Sequence, residues 1–152
     1  MKTFICLMLL SFNAFGTEFI IEQGHSTTWF ADTRTYTPAS YGAIALRSSG
    51  PQFVELIQGG WEGENNSRFI GFSLGERSSG QYFAEYALGI ANLLSAETTQ
   101  LDGPNQFLIT VGVGAKFDNL FTTARLRHFS NANTRGKNHG FEVFVGSVGV
   151  TF

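Results

Sequence analysis

The sequence predicts an all-β chain that closes into an eight-stranded antiparallel outer-membrane β-barrel. Three observations support this prediction: a start typical of an exported protein, a composition poor in charge, and a repeated two-residue alternation of apolar and polar side chains. Charged residues make up 14% of the 152-residue chain, which also contains 16 phenylalanines and 18 glycines. Soluble domains usually carry about 25% charged residues. A chain of this size forms one domain, and its formal net charge of −2 indicates no nucleic-acid partner.

Residues 1–16 are expected to be a secretory signal peptide, which leaves 17–152 as the barrel. Lys2 supplies a positive charge, residues 4–12 are mostly apolar, and Ala14 and Gly16 place small side chains where a signal peptidase cleaves. Cys6 is the only cysteine and lies inside this segment. No disulfide framework is therefore expected in the mature chain.

No apolar run after Gly16 reaches the ~18 residues that a membrane-spanning helix needs. The remaining way to satisfy every backbone group within a membrane is a closed barrel. Segments of about ten alternating residues are typical of such barrels, and the sequence predicts them at 18–28, 40–48, 52–62, 67–76, 81–94, 105–117, 120–131 and 140–152. The alternation breaks around Gly59-Gly60-Trp61, where a bulge is expected.

The connections between these segments alternate in length. Tight turns rich in turn-forming residues are predicted at 48–51, 77–80 and 118–119. Longer polar connections are predicted at 29–39, 95–104 and 131–139, and a connection of intermediate length at 63–66. Short periplasmic turns and longer outer loops are typical of the bacterial outer membrane, and an even strand count places both termini in the periplasm. The alternative fold is a soluble β-sandwich or lipocalin-like barrel, but the chain has few charges for a water-facing surface.

A cluster of chemistry-bearing side chains lies near the C-terminus. His128 and Ser130 are two residues apart on the seventh predicted strand, so both leave the same face about 7 Å apart. Glu142 begins the eighth strand, where a same-face neighbour of His128 would lie. A serine, a histidine and a carboxylate in this arrangement are typical of nucleophilic acyl transfer.

The alternation predicts which way these side chains point. His128 and Ser130 share their face with Leu126, and Glu142 shares its face with Phe144, so all three are expected on the outer wall. Arg125 and Arg127 then point into the barrel, where Glu85 is a candidate partner. Polar groups that face hydrocarbon are costly. Mutual hydrogen bonding for catalysis on a lipid would explain their presence.

The motif His-aromatic-Ser-Asn-Ala, followed after a loop by Asn-x-Gly-x-Glu, resembles the signature of the lipid A 3-O-deacylase (PagL-type) family. The order of eight strands, with the motif on the last two, is also similar. The resemblance implies a hydrolase that removes the acyl chain ester-linked at position 3 of lipid A, without a metal or other cofactor. It implies Ser130 as nucleophile, His128 as base and Glu142 as orienting acid. The implied partner is the lipopolysaccharide of the outer leaflet.

The resemblance also implies that Asn138 and Asn131 help to hold the oxyanion. The chain departs from the family pattern at Asn133, where glycine is usual, and at Lys137, where proline is usual. Arg135 and Lys137 flank the motif. Their cationic side chains suit lipid A phosphates. The sequence is equally consistent with a loop in which these two side chains only contact water.

A second function class remains open at this point. The chain would then be a non-enzymatic small outer-membrane barrel with a structural or adhesin-like role. The shared face of the serine, histidine and glutamate favours the enzyme. A mass shift of lipid A after incubation with the protein would distinguish the two, and a homodimer is left open.

Overall fold

The computed structural model describes residues 16–27, 38–63, 66–96, 101, 103–132 and 140–152. It is a closed antiparallel barrel in which each strand pairs with the next and the last pairs with the first. The strands are β1 (Thr17–Thr27), β2 (Ala39–Ser48), β3 (Gln52–Gly63), β4 (Ser67–Arg77), β5 (Tyr82–Ala96), β6 (Asn105–Phe117), β7 (Leu120–Ser130) and β8 (Phe141–Thr151). The predicted fold class is confirmed, and every strand begins and ends within two residues of its predicted position. The proposed signal peptide lies outside the described residues, except for Gly16.

The two ends of the barrel differ. At one end, here called the turn end, tight turns join β2 to β3, β4 to β5 and β6 to β7. Gly50, Gly80 and Asp118 take a left-handed backbone in these turns, with φ of 127°, 115° and 52°. The opposite end, where the other connections leave the barrel, is called the loop end. Among the described residues, no helix has the length and apolar character needed to cross a membrane.

Side chains alternate between an apolar outer wall and a filled interior, as the sequence predicts. On β6, Phe107, Ile109 and Val113 are exposed, whereas Gln106 and Leu108 are buried. The same alternation on the other strands leaves large apolar side chains on the outer wall, among them Ile21, Ile44, Ile70, Phe72, Leu74, Leu88, Ile90, Val111, Phe144 and Val148. An exposed apolar wall of this extent is suited to contact with lipid.

The predicted bulge at Gly59-Gly60-Trp61 is wrong. β3 pairs without interruption with both neighbours through these residues, and Trp61 is buried in phase with Ile57. The glycines only hide the alternation, because they carry no side chain to show which way they point. The register shift lies instead between β4 and β5, where Phe69 pairs with Leu93 but Arg68 pairs with Ser95.

The middle of the interior holds a network of buried arginines and glutamates. Arg125 binds Glu22 and also Glu85, the second through Nε at 2.6 Å. Arg127 Nη2 lies 2.7 Å from Glu22 Oε1 and 2.9 Å from Glu55 Oε1. Nearer the turn end, Arg47 and Arg77 pair with Glu18 and Glu85. Each buried charge is therefore matched by an opposite charge, as burial of ions requires.

Aromatic side chains close the interior at the loop end. Phe129 lies 5.0 Å from Phe69 and 5.4 Å from Trp61, measured between ring centres. Phe141 packs on Trp61 at 4.6 Å. Tyr41 joins this cluster and donates its hydroxyl to Glu22 Oε2 at 3.0 Å. The interior is thus packed with side chains, so the outer wall is the surface that can receive a lipid.

Candidate active site

The pairing of β7 with β8 sets His128 directly opposite Glu142. The imidazole Nδ1 lies 2.7 Å from Glu142 Oε1. An ionised carboxylate can only accept hydrogen bonds, so a contact between ionised Glu142 and the imidazole requires the proton on Nδ1. In that tautomer of the neutral ring, Nε2 is unprotonated and can act as a base. The strand register alone is enough to create this contact, since directly opposed residues lie within side-chain reach.

The pair lies on the outer wall, as the alternation along β7 predicts. The His128 side chain is 29% exposed, whereas its neighbour Arg127 is completely buried in the interior. Glu142 shares the outward phase but is only 1% exposed. Its Oε2 atom has no hydrogen-bond partner among the described residues. Electrostatic contacts strengthen in such water-poor surroundings, so the carboxylate can hold the imidazole firmly.

Ser130 is the last residue of β7 and lies on the same outward face as His128. Its Oγ accepts a hydrogen bond of 3.1 Å from the backbone N–H of Ala132. Ala132 has a φ of 51°, a left-handed conformation that alanine rarely adopts. The chain therefore turns sharply just after the serine, and the turn fixes the hydroxyl at the loop end of the strand.

Gly140 is a site residue whose role the sequence did not reveal. Its φ is +71°, and a Cβ atom placed on it would lie 2.7 Å from His128 Cε1 and 3.4 Å from Glu142 Oε1. Any side chain here would push against the imidazole. The glycine thus leaves the space in which the histidine and glutamate meet.

The remaining predicted site residues are only partly visible. Asn131 directly follows Ser130 and is 1% exposed. Asn138, Arg135 and Lys137 lie outside the described residues, as does Asn133.

His25 belongs to β1, within the strand predicted at 18–28. Its side chain is exposed on the outer wall, opposite Ser40. This histidine and serine lie near the loop end like the candidate site, but no glutamate in the described part of the chain hydrogen-bonds to them.

Comparison with solved structures finds other proteins with a similar fold. The crystal structure of the outer membrane enzyme PagL matches with a TM-score of 0.65 at 16% identity, covering 88% of this chain and 98% of that chain. Neisserial surface protein A matches with a TM-score of 0.66 at 11% identity, covering 90% and 96%. The N-terminal β-barrel domain of Pseudomonas aeruginosa OprF matches with a TM-score of 0.56 at 15% identity, covering 90% and 99%. No curated protein matches the sequence significantly.

The closed barrel, its apolar outer wall and its filled interior define a small β-barrel protein of the bacterial outer membrane. The sequence profile of one family, described as lipid A 3-O-deacylase (PagL), matches residues 4–151. The match covers nearly the whole chain, and the protein therefore belongs to this family.

Proposed function

We propose that this protein hydrolyses the ester that joins an acyl chain to position 3 of lipid A. One observation carries the proposal: the hydrogen bond from His128 to the buried Glu142, on the outer wall beside Ser130. Polar side chains are rarely placed next to hydrocarbon without a functional reason. Family membership supplies the substrate class, and the paired side chains supply a means of attacking an ester.

In the proposed reaction, Ser130 Oγ attacks the carbonyl carbon of the ester while His128 Nε2 accepts the hydroxyl proton. Glu142 keeps the imidazole in the required tautomer and stabilises its positive charge. The tetrahedral intermediate collapses to an acyl-serine when the proton passes to the departing 3-oxygen of the sugar. A water molecule, activated by the same histidine, then releases the fatty acid and restores the serine.

We further propose Asn138 and Asn131 as contributors to the oxyanion site, where hydrogen-bond donors stabilise the developing charge. Arg135 and Lys137 are proposed contacts for lipid A phosphates. The mechanism requires no metal or other cofactor. With the termini in the periplasm, the loop end faces outward, so the site lies at the level of the outer leaflet.

The test is mass spectrometry of lipid A after incubation with refolded protein. Wild type should remove one acyl chain, whereas Ser130→Ala and His128→Ala should each lower the rate at least 10³-fold, because they remove the nucleophile and the base. Ser40→Ala and His25→Ala are matched controls, since these residues are also outward-facing and lie near the loop end.

The controls should retain the wild-type rate. Undiminished release of the acyl chain by Ser130→Ala would end the nucleophile assignment. A folded wild-type barrel that leaves lipid A intact would favour the non-enzymatic alternative.

A further inference from the structure

A second hydrogen-bonded pair lies on the outer wall at the loop end. Asn92 on β5 and Asn105 on β6 are directly opposed, and Asn92 Nδ2 donates to Asn105 Oδ1 at 2.8 Å. This bond leaves the Asn105 amide protons and the Asn92 carbonyl oxygen with no partner among the described residues. Both side chains are exposed. The pair therefore presents donors and an acceptor, already oriented, to whatever lies against the wall.

The strand register places this pair beside the candidate nucleophile. Ser130 pairs directly with Phe107, and Asn105 lies two residues before Phe107 on the same outward face. Asn105 is thus a diagonal neighbour of Ser130, at roughly 7–8 Å. A ligand whose ester reaches Ser130 has its adjoining atoms within reach of the amide.

Arg68 on β4 continues the line in the same direction. Ile70 pairs with Asn92, and Arg68, two residues from Ile70 on the outward face, pairs with Ser95 because the register shifts between them. Its exposed guanidinium forms no ion pair with any residue that the structure describes. Ser130 is in register with Phe107, Ile90 and Phe72 on the three neighbouring strands, so Arg68 lies three strand spacings across and four residues along, roughly 19 Å away in all.

The line of Arg68, Asn92 and Asn105, here called the polar strip, lies at the edge of the apolar band. The outward residues next to it on the turn-end side are Ile70, Ile90 and Phe107, which are 41%, 62% and 48% exposed. The strip therefore lies on the loop-end side of this apolar row, whereas Ser130 is in register with the row itself through Phe107.

We propose that the polar strip binds the phosphorylated amino-sugar head group of the substrate lipid, with Arg68 contacting a phosphate. This inference rests on the proposed function and adds a direction to it: from Ser130 the head group extends over β6, β5 and β4. Carboxamides complement the hydroxyl and amide groups of an amino sugar, and a guanidinium complements phosphate. A phosphorylated disaccharide, together with the length of an arginine side chain, covers a separation of the order of that between Ser130 and Arg68.

Binding measurements on the Ser130→Ala variant test this inference without consumption of the lipid. The probes are bisphosphorylated lipid A and the same lipid with its phosphates removed, each in detergent micelles. In the Ser130→Ala background, the further substitution Arg68→Ala should weaken binding of the phosphorylated lipid about tenfold. It should leave binding of the dephosphorylated lipid unchanged. Asn105→Leu and Asn92→Leu should each weaken binding of both lipids by about three- to tenfold.

Gln23→Leu is the matched control, because Gln23 presents an exposed carboxamide on β1, on the other side of the candidate site. It should leave both affinities unchanged, and heat-modifiable mobility in gels should show that every variant is folded. Unchanged affinity in Asn105→Leu, or a greater loss in Gln23→Leu, overturns the proposed direction. An equal loss for both lipids in Arg68→Ala overturns the phosphate contact. Deacylation by wild type is scored separately, so failure of the proposed function is distinguishable from failure of the strip.

Discussion

At the scale of single residues, the proposed chemistry depends on one 2.7 Å hydrogen bond between His128 and Glu142. The carboxylate orients the base but does not touch the ester. Glu142→Ala should therefore leave a measurable deacylation rate, one to two orders of magnitude above that of Ser130→Ala. Rates from lipid A mass spectra of both variants decide the matter. Equal rates in Glu142→Ala and wild type would remove the glutamate from the mechanism.

Gly140 offers a second test at this scale. Gly140→Ala places a methyl group 2.7 Å from His128 Cε1, so the imidazole must move away from its productive position. We expect the deacylation rate to fall at least tenfold while the barrel still folds, because small displacements of catalytic groups are costly. Gly80→Ala is the control, since Gly80 also has a positive φ but its nearest contact would be an ordinary 3.4 Å. Equal rates in the two variants would contradict a positioning role for Gly140.

The histidine–glutamate contact can be predicted from the sequence alone, whereas the residues around it in the structure cannot. The alternation of β7 and the start of β8 are local patterns, so the shared face of His128 and Glu142 follows from the order of residues alone. The Asn92–Asn105 pair depends on the register between β5 and β6, and no local pattern fixes that register. The role of Gly140 depends on space left in three dimensions, which a glycine in a sequence does not reveal.

At the scale of elements, β7 and β8 present different surroundings on their two faces. Phe129 is fully buried among Trp61, Phe69 and Phe141, whereas Phe144 is 56% exposed on the outer wall. Phe129→Ala leaves an interior cavity and should lower the free energy of unfolding by about 3–5 kcal/mol. Lipid can fill the space left by Phe144→Ala, so its effect should be smaller. Urea titrations of both variants in lipid vesicles measure the difference, and a larger effect at Phe144 would contradict the assignment of faces.

The strand boundaries were predictable because turn formers punctuate the alternating segments. The position of the strand irregularity was not. Glycines drew attention to Gly59 and Gly60, whereas the actual shift occurs beside Leu94, which is an ordinary apolar residue. A bulge is set by how two strands align, and this alignment has no signature in either strand alone.

At the scale of the whole molecule, the buried ions hold the interior together. Glu22 contacts Arg125, Arg127 and the hydroxyl of Tyr41. Glu22→Leu leaves two arginines short of a partner in a buried site and should lower the free energy of unfolding by about 3–5 kcal/mol. The control is Glu62→Leu, which changes an exposed glutamate and should have an effect of about 0.5 kcal/mol or less. Urea unfolding in vesicles compares them, and equal stabilities would show that the network contributes little.

The packed interior also predicts the electrical behaviour of the barrel. Among the described residues, aromatic rings pack together in the interior at the loop end, and paired ions occupy its middle. Wild-type protein in planar bilayers should therefore show no conductance steps of the kind that water-filled barrels produce. Steady openings in single-channel recordings would contradict the filled interior.

β8 pairs with two strands, and both pairings can form only late in the assembly of the barrel. β8 supplies Glu142 to its pairing with β7, and its other edge closes the barrel against β1. Neither contact exists until the final segment of the chain has settled into place. A polypeptide still on its way to the outer membrane therefore lacks the complete His128–Glu142 pair. The proposed hydrolase would therefore be inactive before it reaches the outer membrane. It would become active only when the barrel closes there, so lipids of other membranes would not be attacked.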